Sequence, residues 1–83
     1  MIAYADFSLD SPRSLEVAED RMGRWASRSD CYVHIECPDG TQFHATAYRR
    51  TPERLVKVCS SPGDTQVLAL EELALRGCQL GEW

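Results

Sequence analysis

Cys31, His34, Cys37 and His44 crowd the stretch CYVHIECPDGTQFH, residues 31–44. Thiolates and imidazoles are the usual ligands of structural zinc, so the first question is whether the backbone can bring these four together. The turn residues argue that it cannot. Pro38, Asp39 and Gly40 carry the pattern of a type I turn closed by a left-handed glycine, which is the three-residue hairpin loop with a G1 bulge. That loop pairs Cys37 with Thr41, Ile35 with Phe43, Val33 with Ala45 and Cys31 with Ala47. Alternation then places Cys31, Val33, Ile35 and Cys37 on the core face. Tyr32, His34 and Glu36 take the other face, with Thr46, His44 and Gln42. A two-residue loop would shift the pairing by one and mix apolar with polar side chains, which a half-buried sheet disfavours. Sulfur and imidazole on opposite faces of one strand cannot share an ion, so no metal site is expected. What remains is a cross-strand His34–His44 pair beside Glu36. It could bind a divalent ion weakly or respond to pH near ~6, but its simplest reading is a solvated sheet face.

Other chemistry is equally sparse. Cys59 and Cys78 could act as nucleophiles only beside a base, and neither histidine is near them in sequence. As small hydrophobes they suit a core. The acidic residues are scattered over helix surfaces, and neither a glycine-rich phosphate loop nor a nucleophile elbow is present. The expectation is a non-enzymatic chain without a cofactor.

The elements that position these residues follow from periodicity. MIAYADFSL alternates and reads as a first strand. Ser11 as N-cap and Pro12 at the first helical position open a helix. Leu15, Ala18, Met22 and Trp25 recur at helical spacing and carry it to Ser27 or Arg28. Its early acids Glu16, Glu19 and Asp20 and its late Arg24 and Arg28 suit the helix dipole. Gly23 is a poor interior residue and suggests close helix–sheet contact. CYVHIEC and TQFHATAYRR form the hairpin. ERLVKVCS reads as a third strand, although TPER with Thr51 as cap also fits a helix start. SSPGD reads as a turn, and TQVLALEELALR as a second helix stopped by Gly77. CQLGEW is a tail or a short last strand. The order β-α-β-β-β-α describes an α+β two-layer sandwich, a mostly antiparallel sheet with two helices on one face.

At 83 residues, one globular domain spanning 1–83 is expected, burying roughly 60–65% of its unfolded surface. Hydrophobic residues make up 43% and charged residues 27%, which fits an ordered chain. The N-terminus lacks the charged and apolar regions of a signal peptide. No apolar run approaches the ~18 residues of a membrane span. A cytoplasmic protein with reduced thiols is expected. Lys57 is the only lysine among nine basic residues, an arginine bias that suggests a GC-rich bacterial or phage genome. The net charge of −4 argues against a dedicated nucleic-acid binder.

Two surfaces could meet a partner. On the second helix, Ala69, Leu73, Leu70, Ala74 and Val67 form one apolar arc. Leu68 and Leu75 lie on the far side, flanked by Glu71 and Glu72. Either the tail folds back over them through Leu80 and Trp83, or they form, with Trp83, a contact surface. Tyr48, Arg49, Arg50 and Arg54 cluster at a hairpin end as a second, basic contact. Short, acidic, motif-free domains of this type include immunity proteins, antitoxins and phage-encoded blockers of host defence such as anti-CRISPRs. That likeness is one of type, not of sequence. The leading expectation is a protein-binding inhibitor that acts by steric occlusion, with electrostatic complementarity to its partner. The rival expectations are an RNA-binding α+β domain and a small homodimeric structural subunit.

Overall fold

The structure is a computed structural model that describes residues 12–83. The expected first strand lies outside the described residues. α1 spans Pro12–Ala26, β1 Cys31–Glu36, β2 Phe43–Arg50, β3 Leu55–Gly63 and α2 Gln66–Gln79. The strands form an antiparallel sheet in the order β1-β2-β3. α2 lies across β3 and β2, and α1 packs chiefly on α2 while touching the sheet at β1. The arrangement is α+β, with both helices on one face of the sheet.

The hairpin keeps the expected faces but not the expected partners. Val33 pairs with Ala47, Ile35 with Ala45 and Cys31 with Arg49, a slip of two residues. A slip of two preserves alternation, so Cys31, Ala45 and Ala47 are still buried. Asp39 is the cause. The turn forms as expected, with the Gly40 amide donating to the Cys37 carbonyl at 3.2 Å and φ of 77° at Gly40. The Asp39 carboxylate then accepts from the backbone amides of Thr41 and Gln42, at 2.9 and 3.1 Å. Those amides are therefore withheld from the ladder, and pairing resumes only at Glu36 and His44.

Residues 55–59 are strand, not helix, and SSPGD is not a turn: β3 continues through it to Gly63. Among the described residues β3 is an edge strand, where proline is tolerated, and Pro62 sits opposite His44. Cys59 pairs with Ala47 but Lys57 with Tyr48, which leaves Val58 as an extra residue in a bulge. Both Cys59 and Val58 thereby reach the core.

The core is built from small residues. Ala18, Ala45, Ala47, Ala69, Leu73 and Ala74 are fully buried. Trp25, Cys31 and Cys59 are nearly so, and Leu73 is the largest of the fully buried side chains. Small side chains let backbones approach closely. A methyl on Gly63 would overlap the backbone of Ala69 at the start of α2. Ser61 is buried on the core face, and its hydroxyl has no hydrogen-bond partner among the described residues.

Gly77 does not stop α2. The helix runs through it to Gln79, with Leu80 as C-cap and Gly81 beyond at φ 76°. The Gly81 amide donates to Cys78 O at 3.2 Å and the Glu82 amide to Gly77 O at 2.8 Å, the two bonds of a Schellman motif. At the other end, Thr65 caps α2 by accepting from the Leu68 amide at 3.1 Å.

Gly23 is exposed, and a methyl there would meet nothing within 4 Å. It therefore marks no helix–sheet contact. Gly23→Ala should raise stability by about 0.5–1 kcal/mol through helix propensity. Gly63→Ala should lower it by about 1–3 kcal/mol through overpacking against backbone. Paired urea melts read both signs.

Candidate functional site

The strands that carry the cysteines and histidines place Cys31 and the imidazoles apart. Cys31 is buried on the helix-covered face, and the histidines lie on the opposite face. His34 faces Thr46, and His44 faces Glu36, so the two imidazoles are diagonal neighbours rather than a direct pair. His34 Nε2 lies 3.9 Å from Glu36 Oε1, with both side chains more than half exposed. Among the described residues, no group of three or more His, Cys, Asp or Glu side chains could hold a metal ion.

The thiols are free and are placed unequally. Cys31 Sγ donates to Asp30 Oδ1 at 3.3 Å. Burial, and then this bond to the carboxylate, push its pKa up. Burial, with the charge of Glu82 added, also raises that of Cys59. Raised thiols are poor nucleophiles at neutral pH. Cys37, expected in the core beside Cys31, is only half-buried because β1 ends at Glu36 and leaves it in the loop.

The tail folds back toward α1, and Leu68, one of the two leucines it could have covered, stays exposed. The Trp83 ring lies against Gly77, where a methyl would overlap it. The indole N–H donates to the Ala74 carbonyl at 3.0 Å. The ring meets Trp25 of α1 with centroids 5.1 Å apart and planes tilted by 50°. Trp83 thus joins the helices, and Leu80 stays exposed. Leu68 remains 45% exposed and Val67 63% exposed. Val67 therefore leaves the expected buried arc. It joins Leu68 near the start of α2, with Glu71 half-buried and Glu72 exposed one turn on. Leu75 is half-buried.

At the hairpin end, Arg49, Arg50 and Arg54 are exposed. Thr51 closes the loop through bonds to Arg54 of 2.8, 2.9 and 3.2 Å. The Arg50 guanidinium stands 5.1 Å over the Tyr32 ring. Tyr32 pairs with Tyr48, and Tyr48 with Lys57, so the outer sheet face carries two tyrosines and, with Arg50, two cations.

One concavity was missed in the sequence reading. Arg21, Arg24, Trp25 and Arg28 line an open groove of about 410 Å³ with Glu82 and Trp83. The α1 residues recur at i, i+3, i+4 and i+7, which puts them on one flank of the helix. That stripe was legible, but the opposite wall comes from the far end of the chain and was not. Arg24 pairs with Asp20 at 2.9 Å and Arg28 with Asp30 at 3.6 Å. Arg21 has no carboxylate within 4.0 Å among the described residues.

No family model, no curated protein and no solved structure matches this chain.

The thiol placement predicts an order of modification. In the native protein at neutral pH, Cys37 and Cys78 should react first with a small alkylating reagent, and Cys31 and Cys59 last. A raised thiol pKa stabilises the fold below the unfolded value and loses that contribution as pH rises through the folded value. Alkaline pH above the ordinary thiol range should therefore lower stability and speed labelling of the buried pair. Mass spectrometry of timed samples distinguishes the four sites.

Proposed function

We propose that this chain is a small, non-enzymatic protein-binding module that inhibits its partner by covering it. The observation that carries the reading is the exposed pair Val67–Leu68 on α2, bordered by Glu71 and Glu72. The tail that could have covered it is bound elsewhere, on Gly77 and Trp25. An apolar pair beside carboxylates fits a partner surface that is itself apolar and bordered by cations. Like charges across such an interface would exclude wrong partners. Four free thiols fit a reducing compartment, in keeping with a cytoplasmic setting. No helix among the described residues is long and apolar enough to cross a membrane.

A second reading has its own observation. Tyr32, Tyr48, Arg50 and Lys57 share the outer sheet face, with Arg50 stacked on Tyr32. Aromatic and cationic side chains on an open sheet can stack single-stranded bases. The net charge of −4 weighs against it.

The test is a pull-down from the source cells, followed by reconstitution with the purified partner. The wild-type chain should retain one protein in stoichiometric amount. The double variant Val67→Glu, Leu68→Glu should lose it. Leu75 is left intact because it is half-buried. Stability of the double variant should change by no more than about 0.5 kcal/mol per substitution, as at exposed sites generally. Retention by the double variant would reject this surface. Salt-dependent RNA binding abolished by Tyr32→Ala and Tyr48→Ala would favour the second reading.

A further inference from the structure

The groove beside α1 is not used by the reading above, and it lies on a different part of the molecule from Leu68. It combines arginine with tryptophan in a chain that is acidic overall. Two tryptophans, three arginines and one glutamate line it. Two of those arginines have exposed carboxylate partners, and Arg21 has none among the described residues.

We propose that the groove is a docking site for an acidic peptide segment, with a carboxylate on the arginines and a neighbouring apolar side chain on the tryptophans. The guanidinium is a planar fork that matches a carboxylate through paired hydrogen bonds. Tryptophan and arginine are among the residues that carry most binding energy at protein contacts. A groove of about 410 Å³ is of ligand size, within the range of roughly 300–1,000 Å³. It has room for a few side chains of an extended segment rather than a folded surface, and its open side gives the chain a way through.

Charge and exposure select the peptide over a nucleic acid. The chain is acidic overall, and Glu82 forms part of the wall. A phosphate backbone would meet that carboxylate repeatedly, whereas a peptide can present its acids only toward the arginines. Trp25 is 5% exposed, so little of its ring is free for stacking a base.

The protein's own fluorescence reads the groove, because its two tryptophans are both in it. The full chain is titrated with a capped hexapeptide of alternating aspartate and leucine, with the same peptide carrying asparagine for aspartate, and with an oligothymidine. The acidic peptide should change the emission saturably. Its affinity should fall about tenfold or more, the factor that ~1.4 kcal/mol represents, in each of three cases: the asparagine peptide, Arg21→Glu, and 0.5 M salt. Arg21 is exposed, so the melting temperature of Arg21→Glu should hold. Should that variant fold poorly, Arg21→Gln should show the same direction of change. Equal response to both peptides overturns the proposal, as does no response at millimolar peptide. Tighter binding of the oligonucleotide overturns it in favour of nucleic acid. An emission change on raising protein concentration alone, with a dimer by light scattering, overturns it in favour of a second copy seated in the groove.

Discussion

The contact of Trp83 with Gly77 governs how the helical layer is put together. Among the described residues α1 touches the sheet chiefly at β1 and otherwise leans on α2. The largest side chain it contributes to the core is Trp25, and Trp25 meets Trp83. The tail can bring Trp83 there only because two glycines near the end of α2 do different jobs. Gly81 adopts the left-handed conformation that reverses the chain. Gly77 leaves the notch into which the reversed chain places the indole. The Ala74 carbonyl fixes the ring by accepting its N–H, so a buried polar atom is satisfied by the same placement.

This matters because the rest of the core is thin. Alanines at positions 18, 45, 47, 69 and 74 bring backbones close together but bury little area each. A buried aromatic contributes several times more. The two tryptophans add to the burial that Val33, Ile35, Phe43 and Val58 supply from the sheet, and they do so where α1 meets the tail. That placement also leaves a groove between α1 and the tail, rimmed by arginines. The same contact that closes the core thus forms the one basic-aromatic concavity described, while the acidic flank of α2 stays open on another side. An acidic flank and a basic groove on one small domain fit the proposed role as a binding module.

Local patterns carried much of this fold in the sequence, and long-range ones did not. Alternation in CYVHIE and FHATAY is strong enough to assign faces, so the separation of Cys31 from the histidines was readable. The register was not, because it turned on whether the Asp39 carboxylate would take the Thr41 and Gln42 amides. The start of α1 at Pro12 and the helical span of α2 followed from caps and spacing. The end of α2 was misplaced because Gly77 and Gly81 look equally able to stop a helix. Only the packing of Trp83 against Gly77 shows which of them needs the missing side chain and which the positive φ. Pro62 read as a turn because proline interrupts most strands, and an edge strand is the exception. The arginine stripe of α1 was visible at helical spacing, but it looked like a complement to the helix dipole. Its role as a groove wall required the other end of the chain.

The most direct measurement is the stability and tryptophan emission of Gly77→Ala, because two physical effects give it opposite signs. Helix propensity alone would raise stability by about 1 kcal/mol. If the indole of Trp83 occupies the notch, the added methyl must expel it. The emission should then shift to the red, and stability should fall by about 1–3 kcal/mol, as for overpacked sites, with helix content by circular dichroism unchanged. An unshifted emission maximum together with a raised melting temperature would contradict the docking of Trp83 on Gly77 and the account of the helical layer built on it.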